Sequence, residues 1–123
     1  MIKSMLHASL IVADIKKSLD FYSVLLGLPV DTQRPDLGYP GAWLNLGVNQ
    51  QIHLLELPNP DPMVGRPKHG GRDRHVAFAV DNLDALITIL KQNNIAYRIS
   101  RSGRRALFCR DPDANALEFI EQA

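Results

Sequence analysis

The sequence predicts an α+β protein built from two copies of one strand–helix–strand–strand–strand unit. Three observations predict it. Each half opens with a short alternating apolar run, each run is followed by a helical stripe, and the two halves align with each other. An offset of 68 residues sets His7 on His75, Leu10 on Phe78, Val12 on Val80 and Ile15 on Leu83. An offset of 65 later in the unit sets Trp43 on Phe108, Ile52 on Leu117, His53 on Glu118 and Leu55 on Ile120. A single deletion of three residues, 68 less 65, reconciles the two registers.

The elements follow in order. Residues 5–13 read as a strand, with His7, Ser9 and Ile11 on one face and Leu6, Ala8, Leu10 and Val12 on the other. Asp14 caps a helix whose apolar stripe is Ile15, Leu19, Tyr22 and Leu26, and Gly27 closes it. Strands are expected at 30–34, 42–46 and 51–57, separated by Pro/Gly turns such as PDLGYPG. The Pro- and Gly-rich stretch that follows has no apolar period, and it reads as a connection between half-units or a flap over a site. The pattern then returns. A strand at 74–80 leads to a helix started by Asp81 or Asn82, with Leu83, Leu86, Ile87 and Leu90 on its inner stripe. Strands at 96–100, 104–109 and 116–121 complete the second half. The expected organisation is one domain made of module 1–57, linker 58–73 and module 74–123.

Composition narrows the function. Fourteen Lys and Arg against thirteen Asp and Glu leave a net charge of +1, which gives no support to a general affinity for nucleic acid or an acidic membrane. A lone Cys109 excludes an intrachain disulfide framework and a Cys-rich zinc site. The first residues turn polar too soon for a signal peptide or membrane helix, so the expectation is a small soluble cytoplasmic protein.

The chemistry lies in the polar residues on matched strands. His7 and His75 hold the same place in the first strand of each half, and His53 and Glu118 in the last. Two halves related by a pseudo-two-fold axis would bring these four to one point. Imidazole and carboxylate together suit Zn, Fe, Mn, Co or Ni rather than Ca or Mg. The competing reading is of core or rim histidines, but Glu118, between Leu117 and Phe119, is costly to bury unless paired or metal-bound.

LHASLIVADIKKSLDFYSVLLGL, RHVAFAVDNLDAL and FCRDPDANALEFIE, which lie at the start, middle and end of the chain, resemble the vicinal oxygen chelate superfamily. That family includes glyoxalase I, fosfomycin-resistance thiol transferases, extradiol dioxygenases, methylmalonyl-CoA epimerase and bleomycin-resistance proteins. The resemblance implies paired βαβββ modules forming a curved, eight-stranded mixed sheet around a cleft, with the site built within a chain or across a homodimer. It also implies that His7, His53, His75 and Glu118 are ligands of a divalent metal ion, with Glu118 doubling as the catalytic base. The ion would stabilise an enediolate or oxyanion on a small vicinal-oxygen substrate. Ala114 stands where the family has Gly, which predicts a slightly different turn, since Ala does not tolerate positive φ.

Glyoxalase I is the member whose ends this chain most resembles, but His53 replaces its usual Glu. Ile11 and Leu57 replace the Arg and Asn that contact glutathione, which argues against a glutathione hemithioacetal. A fourth ligand would occupy the position a dioxygenase keeps for oxygen. The alternatives are a dioxygenase or thiol transferase of the same family, or a bleomycin-resistance-like module that binds a drug or metabolite. Trp43, Arg101 and Arg104 are the candidate substrate contacts, within an arginine cluster (98, 101, 104, 105) that could equally be a solvated hairpin. Tyr39 could join Trp43 in an aromatic wall. His69 reads as a surface loop residue, Cys109 as a small strand residue, and Glu56, of opposite parity to His53, as pointing away from the metal.

Overall fold

In the computed structural model, which describes residues 1–122, the chain forms two compact units, Met1–Asp61 and Pro62–Ala123, the final residue 123 lying outside the described part. The boundary falls inside the stretch expected to be a linker. Within each unit the repeat is visible.

In the first unit, β1 (His7–Val12) pairs in parallel with β3 (Gln50–Glu56), and β3 pairs antiparallel with β2 (Gly41–Leu46). The chain between β1 and β2 starts as α1 (Ile15–Leu19) and passes without a break into a wider π-helical turn, Asp20–Leu25. Asp14 caps α1 by accepting from the Lys16 and Lys17 amides. Gly27 ends the helical run at φ +81. One sheet face carries Val12, Leu44, Ile52 and Leu54, all at most 2% exposed, and these form the core with the helical residues Ser18, Phe21 and Tyr22. His7, Trp43 and His53 alternate onto the opposite face.

The expected strand at 30–34 does not form; only an isolated bridge joins Val30 to Leu44. Pro29 has no N–H to offer, and the Asp31 carboxylate accepts from the Gln33 amide, turning the chain away. The described residues therefore contain seven strands, not eight.

The second unit has order β4-β7-β6-β5, with β4 His75–Val80, β5 Tyr97–Ile99, β6 Ala106–Arg110 and β7 Ala116–Glu121. β4 pairs in parallel with β7, and the remaining pairs are antiparallel. α2 (Leu83–Gln92) buries Leu83, Leu86 and Leu90 against the face carrying Leu107, Cys109, Leu117 and Phe119. Its cap is Asn82, which accepts from the Ala85 amide.

One detail ties the halves together more firmly than apolar pattern does. Glu56, at the end of β3, accepts from the Ile15 amide at 3.0 Å, and Glu121, at the end of β7, accepts from the Leu83 amide at 2.9 Å. These positions match at the same offsets as the histidines. Each last strand thus sends one carboxylate to its own helix N-terminus, where the helix dipole favours it. Glu56 accordingly faces the helix, as its parity requires.

The segment ahead of β4 is fastened to the second unit. Asp73 accepts from Arg110 at 2.8 Å and from Arg66 at 3.0 Å, and Arg110 also donates to the carbonyls of Ala114 and Pro67. A short 3-10 turn, Gly70–Arg72, lies against β6 and β7. No helix among the described residues is long and apolar enough to cross a membrane.

Candidate metal centre

Each unit presents one pair of candidate ligands on the face its helix does not cover. In the first unit the His7 and His53 rings stack at 3.8 Å between centroids. Trp43, directly opposite His53 in the β2–β3 register, stacks on its other side at 4.5 Å, which makes a column of three rings. Trp43 is half-buried, so it is neither pure core nor free surface.

The hydrogen bonds around His53 fix its tautomer. The Gln51 side-chain NH2 donates to Asp31 at 2.8 Å and to Asn45 at 2.9 Å, which turns the Gln51 carbonyl oxygen toward His53. His53 Nε2–H donates to that oxygen at 2.8 Å, so its Nδ1 is left with a lone pair. Burial lowers the His53 pKa below its ordinary value, and the adjacent His7 and Arg34 lower it further. A neutral, oriented imidazole is what a metal ligand requires.

In the second unit His75 Nδ1–H donates to the Asp73 carbonyl at 2.9 Å, which turns Nε2 toward Glu118. Nε2 and Glu118 Oε1 lie 3.3 Å apart. Glu118 is only 5% exposed, and its other oxygen accepts from Arg104 at 3.4 Å. Phe108 stands opposite Glu118 in the β6–β7 register, with the His75 ring edge-on to it at 5.6 Å. It is the repeat counterpart of Trp43, so each half sets an aromatic ring beside its last-strand candidate, His53 or Glu118. Within neither unit do three or more described His, Cys, Asp or Glu side chains gather into a metal-binding group.

Each pair by itself offers donors of the kinds a divalent transition metal takes. Two imidazoles and an imidazole–carboxylate pair are offered, and two of the histidines are oriented by a hydrogen bond from the ring nitrogen that would not ligate.

The other expected residues sort as follows. Arg104 reaches Glu118, whereas Arg101 is exposed in the β5–β6 turn with no ion pair to it. Arg105 pairs instead with Glu121 at 2.8 Å and Asp84 at 3.0 Å, a surface role. Tyr39 lies beside Arg34, whose guanidinium sits 5.3 Å from the ring centre and donates to the Tyr39 carbonyl. His69 corrects the surface-loop expectation. It is half-buried, accepts from the Gly71 amide through Nδ1, and meets Phe108 edge-on at 5.0 Å. Close packing of Gly71 explains its position, since a Cβ there would come within 3.0 Å of both the Phe108 and His69 rings. Ala114 adopts φ +65 despite its side chain, so the turn keeps a glycine-type conformation instead of changing shape.

The fold is that of a glyoxalase-like protein. The chain belongs to the Glyoxalase/Bleomycin resistance protein/Dioxygenase superfamily, whose sequence profile it matches over residues 4–119. It is 34% identical to the uncharacterized protein YwkD of Bacillus subtilis (strain 168), covering 99% of each chain. It is 28% identical to a lactoylglutathione lyase of Escherichia coli O157:H7, covering 96% of this chain and 92% of that one. The fold matches the crystal structure of a glyoxalase family protein from Bacillus anthracis with a TM-score of 0.81 at 23% identity, over 100% of this chain and 98% of the other.

Proposed function

We propose that the protein is a metal-dependent lyase or isomerase of glyoxalase type, with His7, His53, His75 and Glu118 as ligands of one Zn, Ni, Co, Mn or Fe ion. The observation that carries this reading is the approach of His75 Nε2 to the buried Glu118 Oε1 at 3.3 Å, with the ring turned by the Nδ1–H bond to Asp73. A carboxylate oxygen and an imidazole nitrogen this close share either a proton or a metal ion, and both are donors that a transition metal takes. The four positions come from matched strands, and the lactoylglutathione lyase relative lends support to the class of chemistry.

When bound, the ion supplies Lewis-acid stabilisation of negative charge on two neighbouring substrate oxygens. The residues of the chain do the rest. Glu118 takes a proton from the carbon beside one oxygen and returns it to the adjacent carbon. Arg104 holds the second carboxylate oxygen, so that the first stays turned toward His75. Trp43 gives the first-unit pair an apolar wall, and Arg101 offers a guanidinium to an anionic substrate group. The substrate is a small molecule with vicinal oxygens, and a homodimer supplies the two units of each site if one chain alone does not.

Metal analysis of protein purified without added metal tests the reading. About one equivalent of a transition metal per chain is expected, with a lower melting temperature on chelation. Sub-stoichiometric metal and an unchanged melting temperature contradict it. A metal-free binding module is the second reading, favoured by the column of Trp43, His53 and His7, which offers a flat ligand a stacking surface. Chelation would leave that protein's melting temperature unmoved.

A further inference from the structure

The second unit holds a cavity of about 330 Å³ whose lining includes Lys68, Ile95, Tyr97, Arg98, Phe108 and Arg110. That volume is at the lower end of what small-molecule sites occupy. Its walls are mixed. Ile95, Tyr97 and Phe108 supply apolar surface, and three cations contribute to the lining while no carboxylate does.

The cations are not equivalent. Arg110 is committed to Asp73 and to two backbone carbonyls. Arg98 and Lys68 are exposed, and among the described residues neither side chain has a hydrogen bond or ion pair. Gly70, two residues beyond Lys68, is buried beside Phe108 and Ala116, which lays this part of the chain over the sheet. One wall of the cavity is therefore fixed by the fold.

The register relates the cavity to Glu118. Arg98 pairs with Phe108, and Phe108 pairs with Glu118, so the three form one cross-strand row on one face of the sheet. Arg98 and Glu118 are two strands apart, about 10 Å between backbones. Phe108 stands between them, touching His75 on one side and lining the cavity on the other.

We infer that this cavity binds the anionic tail of the substrate, a carboxylate or phosphate monoester on an apolar body, with Arg98 and Lys68 holding the charge. The assignment of a tail rests on the reading of Glu118 as a site residue; the binding of an organic anion does not. Two unpaired cations beside aromatic and aliphatic walls match such a ligand in both charge and surface. A neutral ligand of the same shape would gain no ion pair from them.

Amide NMR titrations of the full chain test this with three probes: 3-phenylpropanoate, 2-phenylethyl phosphate and the neutral 3-phenylpropanamide. At least one anion is expected to shift the amides of residues 95–98 and 108–110 saturably, and to bind at least five-fold more tightly than the amide. Arg98→Gln and Lys68→Gln, both at exposed positions, should each weaken the anion about three- to ten-fold and leave the amide probe unchanged. Equal affinity for charged and neutral probes, or no saturable shift at these amides, overturns the inference. Cobalt uptake, measured on the same samples, separates the two claims. Uptake without anion binding defeats the cavity alone, and anion binding without uptake supports the cavity and defeats the metal reading.

Discussion

Replacing Asp73 with Asn removes the charge that fastens residues 66–73 to the second unit. The Asp73 side chain is 7% exposed, and Arg66 and Arg110 approach it at 3.0 and 2.8 Å. The Arg110 hydrogen bond, above all, holds its pKa down to about 2, with Arg66 and the Arg74 amide adding to the effect against the opposing influence of burial. The carboxylate is thus more acidic folded than unfolded, where about 4 is normal. Its stabilisation is complete above pH ~4 and is lost as the pH falls toward 2. A shift of that size is worth about 2.5 kcal/mol at full value. Water reaches both arginines, and screening of such pairs reduces the expected loss to about 1–2 kcal/mol. Urea unfolding followed by far-UV circular dichroism, repeated from pH 7 to pH 2.5, should show Asp73→Asn less stable by that amount at neutral pH. The deficit should shrink to about a third of its neutral-pH size at pH 2.5, which still lies just above the folded pKa. A variant within about 0.3 kcal/mol of the parent at pH 7, or a deficit undiminished at pH 2.5, refutes the reasoning.

Two more outcomes follow from single residues. Ala114→Gly relieves a side chain held at φ +65 and should stabilise the protein by about 0.5–1 kcal/mol, after subtracting the entropy glycine adds to the unfolded chain; thermal unfolding reads it, and a destabilised variant contradicts the strain. Burial pushes the Cys109 thiol up to about 12, with Asp111 adding to the shift, so a disulfide reagent at pH 8 should label it only after denaturation. Rapid labelling of the native protein would contradict its buried setting.

The repeat was legible because it is written in polar as well as apolar letters. Asp14 and Asn82 cap equivalent helices, Glu56 and Glu121 meet equivalent helix N-termini, and the period-two pattern set His7, His53, His75 and Glu118 on the faces where they are found. What escaped was structure decided by a single local contact. The strand expected at 30–34 has enough β-forming character to be read as one, yet an Asp31 side chain turning onto its own backbone ends the pairing after Val30. The π-helical turn escaped because an apolar stripe spaced for 3.6 residues tolerates one wider turn. There Leu26 N–H reaches back to the Phe21 carbonyl, and Phe21 and Tyr22 are buried side by side. His69 sits among Lys, Gly and Arg and carries no apolar signal, so neither its packing on Phe108 nor its cap on the following turn could be read. The signal available for it was its neighbour: two consecutive glycines mark a place where backbone comes close to something bulky. At the site, the pairs could be read from parity, but the tautomers could not. These depend on Gln51, Asp31, Asn45 and the Asp73 carbonyl, which only the folded strands bring into reach.

Cobalt(II) titration of the metal-stripped protein, followed by visible absorption, confronts the ligand assignment most directly. The account predicts one ion bound per chain, with ligand-field bands that weaken in each of His7→Ala, His53→Ala, His75→Ala and Glu118→Gln while the folded circular dichroism spectrum is kept. Absence of saturable binding in the parent, or four well-folded variants that bind cobalt as the parent does, would contradict it.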